Sequence, residues 1–360
     1  MTDFDLARQR LYRQQIAKTA FKKPGQVVAW LVAVQAQDYL GALWAIGLRM
    51  QNSSEQVIEQ AIADKTIVRT WFMRGTLHFV PGNDIRWMIQ LMAPRMRRIV
   101  GNVSRYQRLE LDETILAKSN TVIAKALEGG RQLTRSELAV ALGRAGIASS
   151  GVRLSLILQR AQADGLVCYG PRHGKQFAFA LLDEWVPPAK AMEREDALAE
   201  FAGRYFRSHG PATLQDFVWW SGLTTTDARA SLEMVRSQLV EETFGGNTYW
   251  FSECMPVAKE MSLTAYLLPN YDEYVVGYGE RRAVMDARHT KKISLWNSIV
   301  LSPTIVINGR VVGTWKRTLN KNSVVIESKP FTPLTKAENR AIADAAHRYG
   351  AFLGVPVVLV

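Results

Sequence analysis

Between Thr114 and Leu182 the chain reads TILAKSNTVIAKALEGGRQLTRSELAVALGRAGIASSGVRLSLILQRAQADGLVCYGPRHGKQFAFALL, and within it the start and stop signals for regular structure agree with one another. From Thr114 to Leu127 apolar residues recur at helical spacing, and Gly129 and Gly130 end the helix. Thr134 and Glu137 form a capping box that opens a short helix ending near Gly143. Gly151 to Asp164 gives the next helix, closed by Gly165. Leu166 to Tyr169 and Gln176 to Leu182 are strand-like, and Pro171, Arg172, His173 and Gly174 between them turn the chain, so the two runs pair as a hairpin. Three helices followed by a hairpin make a winged-helix unit.

The same order returns on both sides. Downstream, a helix around Ala197 to Arg207 is broken by His209, Gly210 and Pro211; Thr213 opens a helix through Trp219, and Asp227 to Leu239 forms another. Val240 to Phe244 and Thr248 to Ser252 then flank Gly245, Gly246 and Asn247, a turn suited to a second wing. Upstream, Leu6 to Ile16 and Val27 to Val34 read as helices, and Ser53 with Gln56 caps a helix through Asp64. Thr66 to Arg69 and Thr76 to Val80 supply a third hairpin around Met73, Arg74 and Gly75. Beyond about Met261 the pattern turns to strands: Leu263 to Leu268, Ile305 to Ile307 and Val311 to Val312 around Asn308-Gly309, and Ser323 to Glu327, before a helix from Lys336 to Tyr349. The predicted architecture is α+β: three tandem winged-helix units, at 1–110, 111–190 and 191–258, and a C-terminal β-barrel-like element at 259–360 that carries the terminal helix.

With 360 residues, 48% of them apolar, the chain can bury an extensive core. Lys and Arg number 45 against 33 Asp and Glu, a formal charge of +12, so the expected partner is a polyanion. Cys168 and Cys254 lie far apart and fit neither a disulfide framework nor a metal-ligand spacing, which suits a reducing cytoplasm, on the nucleoid in a bacterial cell. Met1 to Arg10 mixes charges and does not read as a secretory signal. No apolar run reaches the roughly 18 to 20 residues that spanning a bilayer needs. Neither a membrane nor an obligate protein partner is expected.

Gln35 and Gln37 flank Ala36, immediately before Asp38 and a new helix over Tyr39 to Ile46. On a continuous helix the two amides would point about 200° apart; in an extended connection both could face one side. Spacing alone favours a structural reading in which the amides and Asp38 satisfy helix ends, Asp38 as the N-cap. Taken with other segments, however, Ala33-Val34-Gln35-Ala36-Gln37-Asp38 resembles the catalytic segment of AlkZ/YcaQ-type winged-helix DNA glycosylases. Those segments are Arg69 to His78, His209-Gly210-Pro211-Ala212-Thr213, Trp219-Trp220-Ser221-Gly222, Leu267 to Tyr274 and Gly309 to Trp315, in that order. The resemblance implies tandem winged helices joined to a β-barrel-like element, and excision of alkylated bases from double-stranded DNA, crosslinked guanines included in some members. It places Gln35 and Gln37 on the two polar catalytic positions. Some relatives carry Asp at the second; Gln37 is similar to the double-Gln branch, associated with bulky adducts or crosslinks.

The chemistry is compatible. Gln does not titrate and cannot be a strong general base, but it can orient water. An N7-alkylated guanine is cationic and leaves as a neutral base, so its departure needs little acid assistance. The expected enzyme is a monofunctional glycosylase with no cofactor, no metal and no lyase lysine. Candidate DNA contacts are Arg69, Arg74 and His78 in the first hairpin region, and Arg310, Lys316 and Arg317 around the Asn308-Gly309 hairpin, with Trp315 offering a flat surface beside them. Each group has a structural alternative: an exposed wing with a hydrogen-bonded His, and closure of the C-terminal sheet. Arg95, Arg97, Arg98, Arg105 and Arg108 read as a solvated helix face, Trp219 and Trp220 as packing residues, and Asp272 and Glu273 as structural acids. The alternative function is a non-catalytic winged-helix DNA-binding regulator, since a fold by itself does not establish activity.

Overall fold

A computed structural model describes residues 2–101, 103–174, 176–189, 191–253, 263–286 and 301–360. In chain order the elements begin with α1 (Asp3–Arg13), α2 (Pro24–Leu31), β1 (Val34–Gln35), α3 (Tyr39–Gly47), α4 (Glu55–Ala63), β2 (Ile67–Phe72) and β3 (Thr76–Pro81). There follow α5 (Ile85–Val100), α6 (Val103–Arg108), α7 (Glu113–Leu127), β4 (Leu133–Thr134), α8 (Arg135–Arg144), α9 (Gly151–Ala163), β5 (Val167–His173), β6 (Gln176–Leu181) and α10 (Leu182–Trp185). The last third holds α11 (Arg194–His209), α12 (Leu214–Ser221), α13 (Thr225–Val235), β7 (Val240–Phe244), β8 (Asn247–Phe251), β9 (Ala265–Leu268), α14 (Glu273–Val276), β10 (Thr304–Ile307), β11 (Arg310–Leu319), β12 (Val324–Pro330), α15 (Lys336–Leu353) and β13 (Val357–Leu359). The mixed α+β class is as expected. Cys254 and the composition change near Met261 lie outside the described residues.

The chain divides into two compact units, one made of Met1–Ile58 and Ala199–Val360, the other of Glu59–Leu198. These do not follow the boundaries expected at 110, 190 and 258. In the second unit the two predicted hairpins join one sheet, in which the order β3-β2-β5-β6-β4 runs through both of them. Arg69 is the joint: it stands opposite Phe79 in β3 and opposite Tyr169 in β5. The helices α7, α8 and α9 bury Leu116, Ile123, Leu127, Leu138, Leu142, Leu154 and Ile157 with Phe179 of β6 in one apolar cluster. The predicted capping box fixes the start of α8, with Glu137 N–H donating to Thr134 Oγ1 and Thr134 N–H donating to Glu137 Oε2 at 2.7 Å. Helix, helix, helix and hairpin therefore follow the predicted order from 113 to 181.

In the first unit the end of α11, with α12, α13 and the β7–β8 hairpin, repeats that order. Phe201, Tyr205, Phe206, Phe217 and Trp220 form its aromatic core, with Tyr205 and Trp220 ring centroids 4.8 Å apart. The C-terminal strands form an open sheet of order β13-β12-β11-β10-β9, not a closed barrel; its outermost strands are β9 and β13. Helix α15 packs on it, and Tyr349 meets Trp315 of β11 at 5.4 Å and Trp44 of α3 at 5.1 Å. The Asn308-Gly309 turn has φ of +51° and +83°, as a two-residue hairpin turn requires. It does not project. A Cβ on Gly309 would stand 2.9 Å from Ala7 of α1, and Tyr274 donates its hydroxyl to the Gly309 carbonyl at 2.7 Å.

Two helix boundaries differ from the sequence reading for local reasons. Pro24 at the first position of α2 starts that helix earlier than Val27, and Val32, at φ +70°, ends it before Val34. The helix after Ser53 begins at Glu55; the Ser53 hydroxyl instead donates to the Gly47 carbonyl at 2.8 Å, and Ser54 Oγ accepts from Val57 N–H. Among the described residues no helix is long and apolar enough to cross a membrane.

Candidate active site

The segment that joins α2 to α3 is extended, not helical. Val34–Gln35 is a short strand and the chain bends at Gln37 and Asp38 before α3 begins. Its entry is strained: Val32, fully buried, holds φ +70° and ψ −48°, a conformation β-branched residues rarely adopt. Gln35 is buried, with 8% of its surface exposed, and Ala36 is fully covered, whereas Gln37 is exposed. The two amides thus belong to one extended segment but meet solvent unequally.

Both ends of this segment are held by residues far along the chain. Gln35 N–H donates to Glu273 Oε1 at 3.1 Å. Asp38 is the N-cap of α3, accepting from Gly41 N–H at 3.2 Å, as expected. Its carboxylate also takes Arg317 Nη2 at 3.2 Å on Oδ1 and 3.1 Å on Oδ2. Arg317, a candidate DNA contact, is therefore engaged by the residue that follows Gln37. Beside it a cavity of about 210 Å³ is lined by Asn270, Pro303, Trp315, Lys316 and Arg317.

Beneath Gln35 lies a dense polar frame. Asp272 caps α14 by accepting from Tyr274 N–H at 2.9 Å, and Arg49 clamps it with bonds of 2.8 and 2.9 Å. All five guanidinium donors of Arg49 are used: the other three reach the Gln14 carbonyl at 2.9 Å, Gln14 Oε1 at 2.9 Å and the Ala45 carbonyl at 2.8 Å. Glu273 Oε2 accepts from Trp220 Nε1–H at 2.8 Å and stands 3.5 Å from His209 Nε2. Burial pushes the His209 imidazole below its ordinary value, so it is neutral near pH 7. The ring stacks on Tyr205 at 4.8 Å, and Gly277 covers it so closely that a Cβ there would meet Cδ2 at 2.9 Å. Asp272 and Glu273 thus have structural partners, as the sequence reading expects. Arg49 and His209 were not singled out as site residues; the signal was a lone arginine ending the apolar run Ala42 to Leu48, and a histidine at a helix-breaking Gly-Pro.

The other candidates divide by burial. In the second unit Arg69 is 5% exposed, with its guanidinium over the Phe177 ring at 4.3 Å and the Tyr169 ring at 5.1 Å. His78 is fully buried, Nδ1 lying 3.1 Å from the Thr76 carbonyl. Because the β2–β3 hairpin is built into a larger sheet, these two side chains are buried instead of displayed on a free wing. Arg74, on the turn at φ +53°, is half-buried. In the first unit Lys316 is exposed and Arg310 half-buried. Trp315 is buried apart from its edge on the cavity beside Arg317 and donates Nε1–H to the Leu268 carbonyl at 2.8 Å. Trp220 is core, but Trp219 is 47% exposed and carries the Arg281 guanidinium 5.0 Å from its ring, so only one of the pair packs as expected. Arg97 and Arg98 lie on a solvated face of α5, Arg97 paired with Asp164 at 2.7 Å.

The chain is similar to known proteins along most of its length. Residues 28–352 match the family described as DNA glycosylase AlkZ-like. A protein described as an interstrand DNA cross-link repair glycosylase, from Streptomyces sahachiroi, is 27% identical over 369 residues, which cover 94% of this chain and 93% of that protein. Among solved structures, Streptomyces sahachiroi DNA glycosylase AlkZ superposes with a TM-score of 0.79 over 100% of both chains at 22% identity, a likeness of fold. The family match spans the Gln35–Gln37 segment and the Asp272–Glu273 frame that holds it, and on that breadth the chain belongs to the AlkZ-like DNA glycosylases.

Proposed function

We propose that this glycosylase hydrolyses the N-glycosidic bond of cationic alkylated purines in double-stranded DNA, N7-alkylguanine foremost, and that its substrates extend to the interstrand crosslinks named for its Streptomyces relative. The observation that carries the reading is the non-helical Gln35–Gln37 segment, with Gln35 fixed through its backbone and Gln37 open to solvent. The strand ends at Gln35 and the chain bends at Gln37, so the two amides are not carried on a helix, and one sugar is proposed to meet both. As the C1′–N9 bond breaks, its electron pair moves onto the purine and cancels the positive charge. The sugar becomes oxocarbenium-like, and the amide oxygens of Gln35 and Gln37 stabilise that charge and hold a water for C1′. The water oxygen bonds to C1′ and its proton passes to solvent, leaving an abasic site and a neutral base. No basic side chain is needed. Tandem winged helices supply the scaffold, and of the candidate contacts exposed Lys316 and half-buried Arg74 and Arg310 are proposed to touch phosphate. The regulator reading has no comparable support, since the family is one of enzymes.

The test uses duplexes carrying one N7-methylguanine, one unmodified guanine or one defined crosslink, treated with pure protein and then alkali. Release of the methylated base and of the crosslinked base but not of unmodified guanine, with Gln35→Ala and Gln37→Ala each slowed about 100-fold while DNA affinity stays within about threefold, is the expected outcome. Equal release of unmodified guanine, or wild-type turnover in both variants, overturns the reading.

A further inference from the structure

We infer that Glu273 is a positioning residue for the Gln35–Gln37 segment, an inference that rests on the catalytic reading of that segment. Among the described residues three carboxylates are buried, Asp216, Asp272 and Glu273. Burying a charge is expensive unless partners replace water. Asp216 meets Arg10 at 3.5 Å and accepts the N–H groups of Gly279 and Glu280; Asp272 meets Arg49 and caps α14. Each of those acids ties the frame to itself. Glu273 instead turns one oxygen to the main chain of Gln35 and the other to the indole of Trp220, with His209 Nε2 3.5 Å from that second oxygen.

Gln35 N–H and Trp220 Nε1–H are both donors, one to each oxygen, and that pair selects the residue type. A carboxylate accepts on both oxygens, whereas a glutamine has one oxygen and one NH2 group. Whichever way a glutamine amide turned at 273, its NH2 would face a donor, either at Gln35 or at Trp220. The choice of a charged residue in a dry place is thereby explained: the site needs two acceptors. The cap of the same short helix, Asp272, is clamped by two bonds of Arg49, whose other three hold Gln14 and Ala45, so the Gln35 main chain is tied to a fixed point. With Gln35 N–H released, its amide would sample a wider range of positions over the sugar. Such a loss of orientation falls on the chemical step, because the grip on DNA comes from surface cations elsewhere.

The experiment measures single-turnover release of N7-methylguanine and duplex affinity for wild type, Glu273→Gln, Gln35→Ala and the double variant, each checked for a cooperative thermal melt. Glu273→Gln slows release about 10-fold or more with affinity within about twofold, and on the residual rate of Gln35→Ala it adds less than about twofold, since it acts through that residue. If Glu273→Gln does not melt cooperatively, Glu273→Asp, whose shorter side chain withdraws from Gln35 N–H, replaces it with the same expectations. Additive losses in the double variant, parallel losses of rate and affinity, or a wild-type rate in the single variant overturn the inference. A wild-type rate in Gln35→Ala overturns the catalytic reading instead, so the two failures are told apart.

Discussion

Asp38 does two things with one carboxylate, and the two can be separated. Its hydrogen bond to Gly41 N–H caps α3, and its pairing with Arg317 crosses to the C-terminal sheet. The side chains of Asp38 and Arg317 are 28% and 18% exposed, so solvent screens the ion pair in part, and Arg317→Ala should cost under about 1 kcal/mol in urea melts. Asp38→Ala loses the cap as well and should cost about 1–2 kcal/mol. Gly41→Ala tests the same joint from the other side. The added Cβ would stand 2.6 Å from Asp38 Oδ2 and 3.2 Å from Pro269 Cβ, so the carboxylate must move. Excision by Gly41→Ala should fall about 10-fold at unchanged DNA affinity in the alkali-cleavage assay; an unchanged rate would show that Asp38 does not hold Gln37 in register. At this scale the sequence was informative where the physics is local. The cap at Asp38 follows from a short acid before an apolar helix, but its partner Arg317 is 279 residues away, and the Gln35 anchor Glu273 is 238 away, separations no spacing rule reaches.

Capping boxes made helices legible: Thr134 and Thr213 each receive the N–H three residues on and each reads as a helix start by residue type, while Thr335 does the same before the helix expected from Lys336. Hairpins were legible as pairs but not as parts of larger sheets, because strand pairing between distant hairpins leaves no local signature. That is why Arg69 and His78 read as wing residues and lie inside a sheet, and why Trp315 read as a free face and is roofed by Tyr349. The β10–β11 hairpin now sorts its cations. Exposed Lys316 and half-buried Arg310 differ from Arg317, which Asp38 holds. Lys316→Ala and Arg310→Ala should each reduce the slope of log K against log salt by about 0.9, and Arg317→Ala by less. A salt titration of duplex binding decides it; three identical slopes equal to wild type would remove this strand from the DNA surface.

For the molecule as a whole, the buried His209 sets one limit on stability. Its folded pKa lies below the ordinary 6.5 because burial disfavours the imidazolium, with Glu273 opposing the shift and Arg49 and Arg10 adding to it. The unfolded chain therefore binds more protons than the folded one below about pH 6.5, and stability rises with pH there. This contribution is complete above that value and is lost as pH falls toward the folded pKa. Glu113 and Glu338, held low by hydrogen bonds from Arg160 and from the Thr335 N–H respectively, lose theirs only in the carboxylate range. The melting temperature should drop between pH 6.5 and pH 5, and His209→Gln should flatten that slope; an equal slope in both proteins would place the acid sensitivity elsewhere. The basic surface, in contrast, was visible from composition alone, since a net charge of +12 needs no fold to be counted.

The long tethers on Gln35 and Asp38 bear on how the enzyme is made. Both glutamines leave the ribosome early, yet Glu273 and Arg317 follow 238 residues after Gln35 and 279 after Asp38. At ordinary elongation speeds the first of those gaps takes roughly 12 to 50 s to synthesise. A nascent chain carries its glutamines through all of that time without the groups that hold them, so on the reading proposed above base release awaits the synthesis of Glu273 and Arg317.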